Sequence, residues 1–393
     1  MLNIDGNVQI VGVADLFQDK IDSAVNRISD FAQKKYGSAA KNIIEPEKIK
    51  KFAGWDSLDQ MLKEDVDVII EATPPVFRVS HFEKIVAAGK HAFLEKPACI
   101  DAVQARKMYM LADEATRKGL SVVTGNQRRY HEGYRDVIKR VQDGAIGELM
   151  SAQCYWNSPS GYYGQNFHDD MEKAGLLKGL SPDDMEYQIR NWYMFIWTSG
   201  DHIVEQHVHN LDVIMWALGD NRFPIEVRGW GGRGTDLPVP AYGNHLSHFA
   251  VDFDMGDGLR LASYCQQEPK TSPEVGERIL GTKGTMETAG NSVRITHKGK
   301  VLYTAPTDIP QAYEMEHKIL LDSVRNGQRI NTLKSLINST LLGIAGRMST
   351  YSGQKFKFGW VLAKSEENLM PKELKFGKHA VAEVPVPGKN KLI

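Results

Sequence analysis

A chain of 393 residues with 42% hydrophobic and 25% charged residues has an ordinary globular composition, and its length suggests two domains. The 48 basic and 49 acidic residues give a formal net charge of −1, which excludes the strongly basic surface expected of a nucleic-acid-binding protein. No apolar run approaches the roughly 18–20 residues needed to cross a bilayer, so we expect no membrane partner.

The three cysteines are Cys99, Cys154 and Cys265, an odd number at wide spacing. They predict free, buried thiols rather than a disulfide framework or a zinc site. Met1 is not followed by the basic and apolar regions of a signal peptide. We therefore expect a cytoplasmic protein, with a periplasmic location as the alternative if an export signal precedes the first residue.

The first third of the chain alternates short apolar strands with helices. We predict strands at 8–14, 66–72, 91–94 and 120–124, and helices at 21–35, 79–88 and 101–118. Strands separated by helices of ten or more residues indicate βαβ units and a parallel sheet covered on both faces. Ligands of such sheets bind beyond the carboxyl ends of the strands, where Asp15, Thr73 and Lys96 lie in this sequence.

Seven segments of the chain resemble the Gfo/Idh/MocA family of oxidoreductases. They are Glu71-Ala-Thr-Pro-Pro-Val-Phe-Arg-Val-Ser-His81, Ala87-Ala-Gly-Lys-His91, Glu95-Lys-Pro97, Gly125-Asn-Gln-Arg-Arg-Tyr-His131, Asp143-Gly-Ala-Ile-Gly-Glu-Leu149, Gly281-Thr-Lys-Gly-Thr285 and Gly346-Arg-Met-Ser-Thr-Tyr-Ser-Gly353. The resemblance therefore extends over essentially the whole chain. The Glu-Lys-Pro segment, at this spacing after an Ala-Thr-Pro strand end, is its most specific part.

The resemblance implies an α/β fold with two domains. Residues 1–126 form a Rossmann-type NAD(P)-binding domain, and residues 127–393 form an α+β domain with a largely antiparallel open sheet. That sheet covers the nicotinamide on one face and makes homo-oligomer contacts, in a dimer or tetramer, on the other. Alternating apolar and polar residues at 149–156, 248–254, 259–264, 292–296 and 300–303 fit its strands.

One departure from the family concerns the phosphate loop. The family opens with a strand, a G-x-G-x-x-G turn and a helix, and its acidic residue follows roughly 20 residues later. Here Asp15 lies fourteen residues after Met1, and no such turn precedes it. We interpret the sequence as lacking the central first strand, and expect roughly 30 residues of a longer protein to be missing. A native chain that has lost cofactor binding is the alternative.

Residues 199–218 predict one helix with a polar start and an apolar end, closed by Gly219. On such a helix Asp201, Glu205 and His209 share a face, as do His202, Glu205 and His209, while His207 points elsewhere. By the resemblance, His209 is the general base, Glu205 orients it in place of the family's Asp, and Lys96 holds the reacting oxygen. An imidazole with an unperturbed pKa of about 6.5 suits proton transfer near neutrality.

The cofactor-binding residues that we predict are Asp15, Thr73, Pro74, His81, Glu95, Lys96 and Gln127. Asp15 favours NAD over NADP, because a carboxylate repels a 2′-phosphate.

The predicted substrate-binding residues are Arg190, Asn191, Trp192, Tyr193 and His202, because aromatic rings beside polar groups suit a sugar. Trp156, Tyr162 and Tyr163 are expected to form another wall of that site. A domain core is the competing interpretation for Phe195 and Trp197. Residues 157–188 look like a loop-rich insertion over the site. A metal held by His202, Glu205 and His209 is the less favoured alternative, and we predict none.

These features together predict a nicotinamide-dependent dehydrogenase that transfers hydride between NAD and a sugar, sugar derivative or cyclitol. One alternative is an NAD-using glycosidase or epimerase with transient oxidation. The other is a catalytically inactive fragment that binds sugar or oligomerises.

Overall fold

The computed structural model of the protein describes residues 1–158, 163–290, 292–306 and 311–393, with backbone alone described for 163–167. Its helices, apart from short 3₁₀ turns, are α1 (Gln18–Tyr36), α2 (Ser57–Met61), α3 (Arg78–Ala87), α4 (Ala102–Arg117), α5 (Glu132–Gln142), α6 (Tyr163–Lys173), α7 (Met185–Arg190), α8 (Ile196–Ser199), α9 (His202–Glu205), α10 (Val208–Leu218), α11 (Ala312–Asn326), α12 (Leu333–Ser352) and α13 (Trp360–Lys364). No helix in these ranges is both long and apolar enough to span a bilayer.

The strands of the first third form two small parallel sheets rather than one. They are β1 (Gly12–Asp15), β2 (Lys50–Ala53), β3 (Val68–Glu71), β4 (His91–Leu94) and β5 (Val122–Thr124). β1 pairs only with β2, and β3, β4 and β5 form the second sheet in that order. We refer to the two together as the split sheet. Within the described residues no strand pairing joins β1 to β3.

The remaining strands form a large open sheet. They are β6 (Leu149–Asn157), β7 (Glu226–Gly232), β8 (His248–Asp254), β9 (Arg260–Gln266), β10 (Glu274–Gly281), β11 (Thr285–Ala289), β12 (Ser292–His297), β13 (Lys300–Thr304) and β14 (Phe356–Lys357). Their order is β13-β12-β11-β10-β6-β9-β8-β7-β14, and neighbouring strands are antiparallel except for β6 and β9. The sequence-based fold class, a Rossmann-type parallel sheet followed by a largely antiparallel open sheet, is confirmed.

Two helices, α10 and the longer α12, pack on one face of the large sheet. Glycine permits the close approach, since a Cβ at Gly229 would lie 2.2 Å from Thr350 Oγ1 and 3.0 Å from the Gly346 carbonyl oxygen on α12. The α10 segment also contacts β6 and β10, so its first turn lies between the large sheet and the carboxyl end of β4. This packing places residues 205–210 where the two halves of the molecule meet.

Two expectations about local structure were wrong. Residues 199–218 form three short pieces rather than one helix, because Gly200 and Asp201 have positive φ angles (81° and 68°) and the chain breaks again between α9 and α10. The segment 157–188 is also not loop-rich throughout, since it contains α6 and the start of α7. The side chains of Met171, Leu177 and Tyr187 in this segment belong to one buried cluster with Tyr193 and Phe195, and this tertiary packing stabilises helices that composition alone does not indicate.

Candidate functional site

Lys96 and Glu205 form a nearly buried ion pair between the split sheet and the large sheet. Lys96 follows β4, and its Nζ lies 2.5 Å from Glu205 Oε1 and donates to the Glu205 carbonyl oxygen at 2.9 Å. The side chains are only 14% and 6% exposed. Glu205 Oε2 is buried without a hydrogen-bond partner. The ammonium group is therefore fixed in direction, and one carboxylate oxygen beside it is left to accept a donor from a bound molecule.

His209 lies beside this pair on the first turn of α10. It is 7% exposed, and its ring lies 5.9 Å from that of Trp156. Burial, together with the positive charges of Lys96 and Arg128, lowers the pKa of His209 well below its ordinary value. The imidazole is therefore neutral near pH 7, which is the protonation state that a proton acceptor requires.

Arg128 and Glu277 form a second buried ion pair behind His209. Arg128 lies 2.6 Å from Glu277 Oε1, and the same oxygen accepts a hydrogen bond from Asn210 Nδ2 at 2.6 Å. The Arg128 guanidinium also lies 5.9 Å from the ring centre of Trp156. Trp156 therefore lies near both the guanidinium and the imidazole. The sequence interpretation quoted Arg128 within Asn-Gln-Arg-Arg but assigned it no role, and it did not identify Glu277.

The loop after β3 is organised by a buried carboxylate. Glu71 binds Arg78 at 2.8 Å, and it accepts a hydrogen bond from the Thr73 hydroxyl. Burial opposes ionisation of Glu71, but the Arg78 charge and the contacts with His81 and Thr73 outweigh it and lower the pKa to about 2. Thr73 and His81 are joined by a 3.2 Å hydrogen bond, and Pro74 begins the turn that leads to α3. Three of the predicted cofactor residues therefore lie together at one strand end.

Gln127 and Glu95 lie at the carboxyl ends of β5 and β4. Gln127 Nε2 donates to the Tyr313 hydroxyl at 3.2 Å, while its Oε1 is buried without a partner. Glu95 Oε2 accepts the Lys96 amide at 3.1 Å. Glu316 on α11 is buried nearby, and desolvation together with the charge of Glu95 raises the pKa of Glu316 to about 9. Gln127 Oε1 is thus an acceptor oxygen without a donor at this edge of the sheet, which suits a ribose hydroxyl or carboxamide group.

Asp15 ends β1 at the far side of the split sheet. Its Oδ1 accepts the Phe17 amide at 2.9 Å, and burial raises the pKa of Asp15. It lies beyond the gap between β1 and β3, so the predicted cofactor residues fall into two groups. The spacing G-x-G-x-x-G does occur at Gly229, Gly231 and Gly234, but these residues lie on and after β7 and do not open a helix. Gly229 and Gly231 pack against α12 and β8, and Gly234 lies against the Glu268 side chain.

The predicted substrate residues 190–193 are engaged within the protein. Arg190 pairs with Asp19 at 3.1 Å and Glu186 at 2.9 Å, and its guanidinium lies 3.8 Å from the ring centre of Phe17. Asn191 is fully buried and donates to the Ala241 carbonyl oxygen.

The rings of this segment contribute to the packing of the insertion. The Tyr193 hydroxyl accepts a hydrogen bond from Gln267, and its ring packs against that of half-buried Trp192. Phe195 is fully buried, in line with the core interpretation. Of the other predicted wall, Tyr162 lies outside the described residues, as does the side chain of Tyr163.

Asp201 and His202 are buried, and their contacts lie in the protein core. Asp201 accepts hydrogen bonds from the Leu246 amide at 3.0 Å and the Tyr351 hydroxyl at 2.5 Å. His202 is fully buried against Phe249, and both of its ring nitrogens are without partners. His207, which lies off the predicted face, binds the Ser263 hydroxyl at 2.8 Å on β9. Asp201, Glu205 and His209 therefore do not form the single stack that a continuous helix would give.

His202→Leu is expected to make the protein less sensitive to acid. Desolvation lowers the pKa of His202 to about 3, despite the nearby carboxylate of Asp201. Between about pH 6.5 and 3 the unfolded chain therefore binds one more proton than the folded chain. Because of this group, the free energy of unfolding falls by about 1.4 kcal/mol for each unit by which the pH decreases. Thermal unfolding at a series of pH values should show a shallower decline for the variant.

His245, another buried histidine whose pKa is lowered to about 3, provides the control. It binds the Ser199 hydroxyl at 2.8 Å, so His245→Leu loses a hydrogen bond and should destabilise the protein at every pH. Equal acid sensitivity of wild type and His202→Leu would contradict the expectation.

A histidine–carboxylate trio lies away from Lys96. Within the described residues, the three groups whose ligand atoms come within 4.8 Å of one another are His168, Asp169 and Glu172. His168 binds the Tyr187 hydroxyl, so its Nε2 is already engaged. His202, Glu205 and His209, the residues of the alternative metal hypothesis, are directed to different neighbours.

Residues 7–124 match the family model described as "Oxidoreductase family, NAD-binding Rossmann fold", the model of the Gfo/Idh/MocA family. This first third of the chain is an NAD-binding Rossmann domain of the Gfo/Idh/MocA family. The sequence-based assignment is therefore confirmed.

Curated proteins and solved structures match the chain over different lengths. Inositol 2-dehydrogenase of Klebsiella pneumoniae (strain 342) is 27% identical over 173 residues, covering 44% of this chain and 41% of that protein. The 2,7-anhydro-N-acetylneuraminate hydratase of Escherichia coli (strain K12) is 27% identical over 245 residues, covering 61% and 57%. The chain thus spans about half the length of the curated relatives it matches. The apo scyllo-inositol dehydrogenase of Lactobacillus casei superposes with a TM-score of 0.60, 18% identity, and coverage of 91% and 94%, which shows a shared fold.

Proposed function

We propose that the protein is a nicotinamide-dependent dehydrogenase of a sugar, sugar derivative or cyclitol, with NAD preferred over NADP. The observation that carries the proposal is the Lys96–Glu205 ion pair with His209 beside it, at the carboxyl end of β4. It combines a fixed hydrogen-bond donor with a neutral proton acceptor. Relatives named inositol 2-dehydrogenase support the substrate class.

The nicotinamide half of a dinucleotide fits the residues present. The unpartnered oxygens Gln127 Oε1 and Glu205 Oε2 supply acceptors for its ribose and carboxamide. Thr73, Pro74, His81 and Glu95 border the same edge and would contribute to holding it. Asp15, at the carboxyl end of β1, would contribute an acceptor for the other ribose of the dinucleotide. When bound, the nicotinamide supplies the acceptor for a hydride.

Lys96, His209 and Glu205 have separate roles toward the substrate hydroxyl group. Lys96 Nζ donates a hydrogen bond to the substrate oxygen and stabilises the negative charge that grows on it as the proton leaves. An imidazole nitrogen of His209 accepts that hydroxyl proton. Glu205 holds Lys96 through Oε1, so we assign it to orienting the lysine, whereas the sequence predicted that it orients the histidine.

The two-domain division at residue 126 and a homo-oligomer built through the large sheet remain part of this proposal. The outer face of that sheet exposes Trp230 and Tyr264 at 52% and 38%, and Tyr264 stacks on Tyr155 at 5.4 Å. Exposed aromatic rings of this kind are typical of protein interfaces. Light scattering of wild type and Trp230→Glu would test whether this face associates.

Calorimetric titration with NAD and NADP tests the proposal, followed by measurement of NADH absorbance with a panel of sugars and cyclitols. We expect NAD to bind more tightly than NADP, and Asp15→Ala to reduce that preference. The titration is made on residues 1–393 and on a chain extended upstream of Met1. If neither chain binds either dinucleotide, the dehydrogenase proposal fails.

A second candidate is an enzyme with transient oxidation. The relative named 2,7-anhydro-N-acetylneuraminate hydratase favours it, because that name describes no net redox reaction. Substrate consumption without net NADH, abolished by removing NAD, would support this candidate over the dehydrogenase.

A further inference from the structure

A histidine and two carboxylates lie close together in the second half of α6. His168, Asp169 and Glu172 each place a nitrogen or oxygen atom within 4.8 Å of the corresponding atoms of the other two. His168 and Glu172 are four residues apart and so share one face of the helix. His168 is 4% exposed, whereas the side chain of Asp169 is 31% exposed and Glu172 lies at the surface. The trio therefore combines a buried nitrogen with two carboxylates that solvent can reach.

The contacts of Tyr187 indicate which nitrogen of His168 carries the proton. The Tyr187 hydroxyl donates its single proton to the Ala241 carbonyl oxygen at 3.0 Å. The same hydroxyl oxygen lies 2.9 Å from His168 Nε2, and it is left to act there as the acceptor. We therefore assign the imidazole proton to Nε2, which leaves Nδ1 of the neutral ring with a free lone pair.

Nδ1 of His168 faces another acceptor instead of a donor. It lies 3.3 Å from Asp169 Oδ1, and an unprotonated nitrogen forms no hydrogen bond with a carboxylate oxygen. That oxygen accepts a hydrogen bond from the Tyr242 hydroxyl at 2.9 Å. Nδ1 is therefore an acceptor on a buried side chain that lacks a donor, and buried polar groups are rarely left without a partner. A cation among the three groups would bind this lone pair.

The charge of the trio also favours a cation. In the part of the chain that the structure describes, no lysine or arginine forms an ion pair with Asp169 or Glu172, and Lys173 lies 3.9 Å from Asp170 instead. Two carboxylates this close repel each other, and a bound cation would offset both charges. The repulsion and the unpartnered nitrogen are independent observations that point to the same kind of ligand.

We propose that His168, Asp169 and Glu172 bind one Zn²⁺ ion through Nδ1 and an oxygen of each carboxylate. Imidazole nitrogen and carboxylate oxygen are ordinary zinc ligands, at about 2.0–2.1 Å and about 2.0–2.2 Å from the metal. Ca²⁺ and Mg²⁺ prefer ligand sets made of oxygen, so the histidine selects against them. Three protein ligands leave the fourth position of a tetrahedral site to water on the exposed side. From the sequence alone we expected no metal, and the alternative considered there lay within residues 199–218.

The ion would tie together three separate segments of the chain. Tyr187, on α7, holds the proton of His168 on Nε2, and Tyr242, in the loop before β8, orients Asp169. Outer partners of this kind fix the direction of metal ligands. A bound ion would therefore stabilise the position of α6 against α7 and this loop. None of these residues belongs to the set proposed to bind NAD or the substrate, so the site is independent of the proposed function.

Calorimetric titration of the untagged full chain with Zn²⁺ tests the site. Glu172→Gln keeps the size of an exposed side chain and removes its charge, so the fold should be retained. We expect its Zn²⁺ affinity to fall at least about tenfold, since the loss of even an outer partner weakens metal sites by about 10–100-fold. Asp170→Asn is the matched control, because the side chain of Asp170 is 81% exposed and lies outside the trio. This variant should bind Zn²⁺ as the wild type does.

A second substitution tests the proton assignment. Tyr187→Phe removes the acceptor of the Nε2 proton and should weaken Zn²⁺ binding by about tenfold or more, with circular dichroism used to check that the variant is folded. The proposal would be overturned by absence of Zn²⁺ binding in the wild type, or by equal Zn²⁺ affinity in the wild type and Glu172→Gln. Unchanged Zn²⁺ affinity in folded Tyr187→Phe, or Ca²⁺ binding as tight as Zn²⁺ binding, would also overturn it. Loss of NAD binding would bear only on the proposed function.

Discussion

Lys96→Met is expected to reduce kcat by about 10²–10³-fold or more, the loss found when a donor to a developing oxyanion is removed. The ammonium group is the donor fixed beside Glu205, and methionine keeps the length of the side chain without the charge. KM for the substrate should change less than kcat, because the interaction strengthens as the proton leaves the hydroxyl. Steady-state kinetics with saturating NAD measures both quantities.

The controls separate catalysis from stability. Lys96→Met leaves Glu205 buried without its counter-charge, at a cost of about 3–5 kcal/mol. Adding Glu205→Gln removes that charge, so the double variant should regain thermal stability while kcat stays low. The matched control is Lys107→Met, which breaks a 2.5 Å pair with Glu83 whose side chains are 41% and 50% exposed. Turnover that recovers together with stability in the double variant would assign Lys96 a structural role.

Much of the architecture was predictable because local patterns and tertiary packing agree. The apolar runs of β3 and β4 are followed by Pro74 and Pro97. Proline has no backbone N–H to donate, so these residues indicate in the sequence where the strands end. The spacing of Glu95 and Lys96 after the preceding strand predicted a site at this edge, where Lys96 pairs with Glu205. The alternation of strands and helices predicted parallel pairing, and β1-β2 and β3-β4-β5 are parallel.

The helix around His209 shows where a local pattern is insufficient. Residues 199–218 have helical periodicity, yet Asp201 adopts a φ of 68° because its carboxylate is held by Leu246 and Tyr351, which are 45 and 150 residues away in sequence. No local signal specifies those partners. The resulting break turns Glu205 toward Lys96 and leaves His202 in the core.

The sequence indicates only one of the two ion-pair partners of Arg190. Glu186 precedes it by four residues, a spacing that indicates an ion pair on a helix. Its second partner, Asp19, comes from the first helix and is visible only in the fold. A guanidinium held by two carboxylates is less available to a sugar than the sequence interpretation assumed.

His209→Ala is expected to lower kcat by about 10²–10⁴-fold, the range for loss of a positioned general base. The affinity for NAD should change little, since the imidazole is assigned to the substrate hydroxyl and not to the dinucleotide. Isothermal titration with NAD and steady-state kinetics give the two values. His207→Asn is the matched control, because His207 lies two residues away and contacts Ser263 and Cys154 instead. It should lose stability but retain most of its turnover.

The pH dependence gives this assignment a sharper test than the substitution alone. Burial and the charges of Lys96 and Arg128 lower the pKa of His209, so the imidazole stays neutral and kcat/KM should be flat between about pH 6 and 8. Lys96→Met removes one of those cations, which raises the pKa of His209 and moves the acidic limb of its residual activity toward neutral pH. A limb that does not move, or a large loss of NAD affinity in His209→Ala, would show that the proton is accepted elsewhere.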